Sequence, residues 1–311
     1  MLSRAAENIF WLARNIERAE ANARLLEMGR RMTMLPGSSG RNEWRSVLRA
    51  SGTMNYLAAD EIVSEENAVN TLLLDQQNHS SIRSSLVLAR NNAKAVRTAM
   101  TQQMWETLNT GWRDLDGVTP AKASDNLENI IESVMMRTAT FRGAAESSML
   151  RNDRYDFLRI GWFIERIDNT LRLLDVKYYI LLPESDVVGG GRDYHQWTSL
   201  LSAVSAMRAF YHAYENDYAP WRIADFLILN ESFPRSIKFC MRQISHHLNL
   251  LGERYGHKRD CQDTAERVLA KLCEQETGEI FQSGLHEFLT GLMSANARLS
   301  REIAASYNFT G

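Results

Sequence analysis

The sequence is short of the residues that punctuate a chain. Seventeen glycines and five prolines in 311 residues make about 7%, against a usual share of about 12%. So few breakers leave little material for tight turns, which argues against many short strands. The three cysteines, Cys240, Cys261 and Cys273, are odd in number and show no CxxC spacing, which excludes a disulfide framework and a thiolate metal site of the usual kind. Neither sign of charge dominates. The formal net charge of −2 lacks the basic excess that a nucleic-acid partner would demand. The longest apolar run, Tyr178 to Leu182, falls far short of the roughly 20 residues that span a bilayer. The opening residues lack a basic stretch followed by an apolar one, and Glu7, Arg14 and Glu17 interrupt any signal-peptide core. These absences predict a cytoplasmic chain with reduced thiols, and with neither membrane nor nucleic acid as partner.

What is present is helical periodicity. Ile9, Leu12, Ile16, Ala19, Ala23 and Leu26 recur at alternating spacings of three and four, laying one apolar seam along a helix from Ser3, a candidate N-cap, to about Met28, with Gly29 as the stop. Phe157, Ile160, Ile164, Ile167, Leu171 and Leu174 do the same from Asp153 until Pro183 ends the helix. The two seams align at an offset of 148 residues, and the charges beside them align as well. Ile16-Glu17-Arg18-Ala19-Glu20 matches Ile164-Glu165-Arg166-Ile167-Asp168, and Arg24-Leu25-Leu26-Glu27 matches Arg172-Leu173-Leu174-Asp175. Weaker similarity continues at offsets of 153 (Trp44-Arg45-Ser46 against Trp197-Thr198-Ser199) and 155 (Ser81-Ile82-Arg83 against Ser236-Ile237-Lys238). We read an internal duplication of about 150 residues. The expected fold is an all-α helical bundle of two pseudo-repeats, 1–152 and 153–311, sharing one core. Further helices are expected near 43–60, 80–110, 125–150, 196–217, 235–255, 261–275 and 283–307. Connectors are expected at Pro36 to Gly40 and at Val187 to Gly191.

On each long helix a charged stripe lies along one flank of the seam: Glu17, Glu20 and Arg24 on the first, Glu165, Asp168 and Arg172 on the second. Small residues, Ala13 and Gly161, precede them by one turn, so a helix or a ligand can come close there. Taken alone, Glu20–Arg24 and Asp168–Arg172 are i,i+4 ion pairs worth about 0.2–0.5 kcal/mol. Yet the charges match while neighbouring core positions differ, Ala19 against Ile167 and Ala23 against Leu171. This points to a functional or buried role.

Other chemistry finds little support. Di-metal bundles use Glu-x-x-His motifs on facing helices, and the chain contains none. An all-carboxylate magnesium site is the weaker remaining reading, and no metal or other cofactor is expected. No nucleophile elbow, P-loop or dinucleotide glycine pattern occurs, and Cys240 and His246 do not share a helix face. Met135, Met136 and Met149 mark a candidate partner or homodimer surface.

The stretch Leu2-Ser3-Arg4-Ala5-Ala6-Glu7-Asn8, continuing through Trp11-Leu12-Ala13-Arg14 to Ile16-Glu17-Arg18-Ala19-Glu20 and Ala23-Arg24, resembles the opening motif of the bacterial alpha-E domain proteins. Asn91-Asn92-Ala93 with Val96-Arg97, Trp105-Glu106, Asp153 through Phe157-Leu158, Gly161, Ile164-Glu165-Arg166, Asp168 and Phe233-Pro234-Arg235-Ser236-Ile237 extend the resemblance over essentially the whole chain. Phe163 stands where that pattern has a basic residue, and Asn78-His79 where it has Asn-Pro. The resemblance implies an all-helical protein encoded beside a circularly permuted ATP-grasp protein and often a transglutaminase-like protein. It thus implies a part in an ATP-dependent system that forms amide bonds on a peptide or small amine.

The expectation that follows is an accessory, substrate-presenting subunit of an ATP-grasp ligase. In it Glu17, Glu20, Arg24, Glu165, Asp168 and Arg172 bind an amino-acid or peptide substrate. The alternative is an enzyme in its own right, with Glu17 or Glu165 as a base of raised pKa and Arg24 or Arg172 as an electrostatic clamp. The enzyme reading requires both stripes to meet in one cavity.

Overall fold

Two long helices carry the architecture, and the rest is arranged around them. The computed structural model describes residues 1–34, 38, 40–57, 61–180, 191–215 and 217–309. Among these residues there is no strand, and the α-helices are α1 (Ser3–Thr33), α2 (Arg41–Ala50), α3 (Glu65–Val69), α4 (Ile82–Ala95), α5 (Gln102–Asp116), α6 (Pro120–Ser148), α7 (Asp153–Ile180), α8 (Gly191–Ala203), α9 (Met207–Tyr214), α10 (Pro220–Leu229), α11 (Ile237–Tyr255), α12 (Asp260–Glu274), α13 (Thr277–Ser283) and α14 (Leu285–Ser306). The expected all-α fold is the observed one. No helix among the described residues is long and apolar enough to cross a membrane.

Local chemistry sets many of the helix starts. The hydroxyl of Ser81 accepts from the Ser84 amide to open α4, and that of Ser236 accepts from the Phe239 amide to open α11. Thr101 caps α5, and Thr119 caps α6 just ahead of Pro120, where a missing N–H costs nothing. Gly256, at φ 75°, ends α11 in the left-handed conformation.

The ends of the other elements depart from the sequence expectations for identifiable reasons. Ser3 is the first helical residue of α1 and makes no cap hydrogen bond. Gly29 does not stop α1, which runs on to Thr33. A Cβ at position 29 would sit 2.5 Å from the Trp44 ring, so this glycine serves helix packing. The helix expected over 80–110 is two, divided by a turn at Arg97–Ala99. That over 196–217 is also two, divided where Ser205 takes φ 55°, and α10 belongs to neither expected span. The helix expected to reach residue 60 ends at Ala50, followed by Gly52 at φ 71°. Pro36, Gly37 and Ser39, the segment Val187 to Gly190, and Pro183 lie outside the described residues.

Both seams are buried as expected. Ile9, Leu12, Ile16, Ala19, Ala23 and Leu26 on α1, and Phe157, Ile160, Ile164, Ile167, Leu171 and Leu174 on α7, are all within a core that includes residues of both halves. The partners of the two long helices follow a reciprocal plan. Helix α1 packs on α7, α4 and α6; α7 packs on α1, α11 and α14; and α2 and α8 each cross to lie on the long helix of the other half.

The two long helices approach closely at the small residues. A Cβ at Gly161 would lie 2.4 Å from the Phe10 carbonyl oxygen and 3.0 Å from the Ala13 Cβ. The expected close approach at Ala13 and Gly161 is therefore made by the other helix. Backbone cannot yield as a flexible side chain can, so Gly161→Ala is expected to cost about 1–3 kcal/mol of stability. Gly143 is exposed on α6 with nothing within 4 Å of its missing Cβ, and Gly143→Ala is expected to stabilise by about 0.5–1 kcal/mol. Urea midpoints of the two variants check both signs.

Candidate functional site: two guanidinium–carboxylate nests

The charges beside the seams do not face solvent. Glu17 and Glu20 on α1 are fully buried, and Glu165 on α7 is nearly so, at 2% exposure. Their partners are exchanged between the two helices. Arg166 of α7 donates through Nε and Nη2 to the two carboxylate oxygens of Glu17, at 2.8 and 2.9 Å. Reciprocally, Arg18 of α1 donates through Nε and Nη2 to the two oxygens of Glu165, at 2.6 and 3.0 Å. Each Glu-Arg dipeptide thus gives its carboxylate to the other helix's guanidinium and its guanidinium to the other's carboxylate.

The surroundings of the two carboxylates differ. Around Glu17 the nest is closed. Arg235, just ahead of α11, spans Glu17 and Glu20 at 2.9 and 2.7 Å. Arg142 of α6 pairs with Glu20 and lies 3.6 Å from Glu17. Arg24 donates to Glu20 at 2.9 and 2.7 Å and to the Ser205 hydroxyl at 2.6 Å. Around Glu165 the nest is open. Arg14 donates to Glu165 at 2.8 Å and to Ser300 at 2.9 Å, its guanidinium 4.6 Å from the Trp11 ring centre. Arg172 donates to Asp168 at 2.7 Å. Beside them lies a cavity of about 370 Å³ lined by Arg14, Arg18, Glu165, Asp168 and Arg172, together with Asn22, Ser51, Gly52, Ser80, Asn169, Asn296 and Ser300. Two buried polar atoms of this lining have no hydrogen-bond partner, the Asn169 amide nitrogen Nδ2 and the Asn296 amide oxygen Oδ1. Asn296 is only 3% exposed, and its Nδ2 donates to the Ile164 carbonyl at 3.0 Å.

Of the six residues singled out in the sequence, Glu165, Asp168 and Arg172 line this cavity, whereas Glu17, Glu20 and Arg24 belong to the closed nest. The reason is the exchange itself, which puts Glu17 and Glu165 each against the opposite helix's arginine. Five further arginines take part that the stripe reading did not select. Arg18 and Arg166 carried a signal, since each follows its glutamate in the matched segment. Arg235 stands in the Phe233–Ile237 match. Arg14 stands in the Trp11-Leu12-Ala13-Arg14 part of the opening-motif match, and Arg142 stands in none of the matched segments.

The acid–base state of the carboxylates is opposite to that expected for a general base. Burial by itself would raise Glu165, but the Arg18 and Arg14 guanidiniums overcome it and hold the carboxyl at about 2. Burial likewise opposes ionisation of Glu20, which Arg235, Arg142 and Arg24 bring down to about 2 against the push of Glu17. Glu17 is driven well below the carboxylate range by Arg166 and Arg235 in spite of complete burial. The two guanidiniums on Glu17 respond differently. Arg166 gains more from Glu17 than burial costs it, while burial and the adjacent Arg166 shift Arg235 downward. The buried Cys240 thiol is pushed up to about 12 by burial despite the nearby Arg166, so it is no nucleophile at neutral pH.

Removing one partner of such a nest leaves charges stranded. Glu17→Ala is expected to destabilise by about 3–5 kcal/mol, because Arg166, Arg235 and Arg142 then face one another around an empty position. Glu27→Ala, which removes an exposed i,i+4 pair with Arg31, is expected to change stability by less than about 0.5 kcal/mol. Guanidinium chloride unfolding of both variants checks the contrast. Because Glu20 and Glu165 titrate lower folded than their ordinary value of 4.5, their stabilisation is complete above that value and lost as pH falls through it toward 2. Unfolding free energy measured from pH 7 to pH 2.5 is expected to stay level above about pH 5 and then fall. In Glu165→Gln the fall is expected to be shallower.

A family profile described as a predicted alpha-helical domain with a conserved ER motif, Alpha-E, matches residues 1–307. No curated protein and no solved structure matches the chain. The interlocked dipeptides Glu17-Arg18 and Glu165-Arg166 give such a motif a physical role in joining two helices. With the match running over nearly every residue, this chain belongs to the Alpha-E family.

Proposed function

We propose that the chain is a helical accessory subunit that holds a zwitterionic amino acid or peptide end in the open nest and presents it to a circularly permuted ATP-grasp ligase. The observation that carries this reading is the cavity beside Glu165. There, three guanidiniums and two carboxylates stand around a space of about 370 Å³, and one unpartnered amide donor and one unpartnered amide acceptor line it. A ligand with one anionic and one cationic group matches that inventory. Its carboxylate meets Arg172, the guanidinium of the nest that gives Glu165 nothing, in the planar fork that suits carboxylates. Its amine meets Asp168. The ATP-dependent partner, and a transglutaminase-like protein as a second one, follow from the resemblance of the sequence. Amide-bond formation is the chemistry that such a partner would supply. The partly exposed Met135 and exposed Met136 of α6 offer a docking face or a homodimer contact.

The low carboxylate pKa values favour presentation over catalysis by the chain itself. A general base works best with a pKa near the operating pH. Glu17 and Glu165 are instead locked in bidentate pairs and held far below it.

Calorimetric titration with glycine, alanine and dialanine is expected to show saturable binding that Arg172→Ala weakens about tenfold or more. Arg172 is 40% exposed and its pair with Asp168 is an i,i+4 contact, so the variant is expected to fold. Co-expression with the ATP-grasp protein is expected to give a stoichiometric complex. A chain that binds none of these ligands and elutes apart from that protein overturns the reading.

A further inference from the structure

Position by position, the closed nest shows what the open one lacks. The caps of α4 and α11, Ser81 and Ser236, set a register in which Ser80 of the open nest corresponds to Arg235 of the closed one. The buried faces of α6 and α14 share a single offset, Ile131 with Leu289, Val134 with Leu292 and Phe141 with Leu299, and in it Ser300 corresponds to Arg142. Gly52 and Ser205, both at positive φ after α2 and α8, correspond in the same way. Arg24 donates to the Ser205 hydroxyl, whereas Gly52 offers Arg172 no side chain, and a Cβ there would lie 2.8 Å from its Nη1.

Two guanidiniums that close the first nest are therefore serines in the second, and only one is added, Arg14 in the register position of Trp162. The consequence is legible at the carboxylates. Glu20 receives three guanidiniums, Arg24, Arg142 and Arg235, while among the described residues its counterpart Asp168 is hydrogen-bonded by Arg172 alone. Four guanidiniums face two carboxylates in the closed nest and three face two in the open one. Asn296, at the register position of Thr138, adds a buried amide oxygen that no donor reaches.

We infer that the open nest is built to receive a guanidinium from its ligand, in the place that Arg235 and Arg142 fill in the closed nest. Resting on the zwitterion reading, this names the ligand class as a guanidinium-bearing amino acid, free or at the C-terminus of a peptide. The guanidinium takes the cationic place at Asp168 that the general reading gives to an amine, donating to Asp168 and to the Asn296 oxygen, and the carboxylate accepts from Arg172 and the Asn169 amide. With a guanidinium bound, the protein's own two carboxylates face four guanidiniums, as they do at the closed nest, and the ligand's carboxylate is a third anion held by Arg172. The guanidinium satisfies the orphaned Asn296 oxygen, and the carboxylate of the same ligand satisfies the orphaned Asn169 amide nitrogen.

The test is calorimetric titration of the full chain with L-arginine, alanyl-arginine, L-citrulline and agmatine. Citrulline keeps the size and shape of arginine but carries a neutral urea, and agmatine keeps the guanidinium but lacks the carboxylate. L-arginine and alanyl-arginine are expected to bind on the order of ten- to a hundredfold more tightly than citrulline, and agmatine is expected to fall below both. Asp168→Asn is expected to remove the preference for arginine over citrulline. Ser80→Arg, which installs the closed nest's own guanidinium, is expected to abolish arginine binding while leaving the helical circular dichroism spectrum intact. Equal affinity for arginine and citrulline overturns the guanidinium assignment and leaves the zwitterion reading standing. Agmatine binding as tightly as arginine overturns the zwitterion reading, and binding of none of the four overturns both.

Discussion

The exchange of Glu17 with Arg166 and of Glu165 with Arg18 is the constraint on which the rest of the structure depends. Ionised carboxylates of this degree of burial are tolerated only when paired and hydrogen-bonded in good geometry. Here each carboxylate is met by a two-pronged guanidinium from the facing helix. The pairing is reciprocal, so sliding α7 along α1 by a turn would break both pairs at once and strand four charges. Hydrophobic seams alone would hold the helices together, since apolar faces tolerate slippage. The ionic exchange fixes their register, which is the best attested use of buried polar groups.

That register explains the shape of the surroundings. Gly161 brings α7 within reach of the Phe10 carbonyl, and the close approach lets a guanidinium on one helix grasp a carboxylate on the other without help from a third element. Further elements then determine how each nest is finished. On the Glu17 side, α6 and the residue ahead of α11 send in Arg142 and Arg235 and fill the space. On the Glu165 side, Ser80 ahead of α4 and Ser300 of α14 stop short, and a cavity remains. One structural device thus gives a sealed junction and an open one.

The sequence disclosed the frame more fully than the site. Periodicity exposed α1 and α7 because apolar residues at helical spacing have to be buried, and the matched seams are indeed core. The stops were less legible. Gly29 reads as a terminator until Trp44 is seen against it, and the break between α4 and α5 has no glycine or proline to announce it. The six stripe residues were found because i,i+4 pairs are local. What the stripes did not disclose is that both glutamates pair across helices, with residues 149 and 147 positions away. Helical geometry places Arg18 next to Glu17 in sequence but points it elsewhere, so only the facing helix reveals its partner. Arg142 joins the nest through tertiary packing of α6, which no local pattern encodes.

The difference between the two nests also bears on how a ligand would be recognised. The guanidinium of Arg18 is clamped on Glu165 by two hydrogen bonds, and Arg14 by one to Glu165 and one to Ser300. Their positions are therefore set before anything binds. Glu165 stays ionised through the neutral range, and arginine side chains do not deprotonate in proteins, so the field inside the cavity does not change with pH there. Recognition of this kind spends little free energy on ordering side chains. The more exposed members are Arg172 and Asp168, which pair with each other. A fixed floor and a more exposed rim are what the proposed ligand-holding role would use, whereas in the closed nest opposite every carboxylate is multiply paired within the bundle.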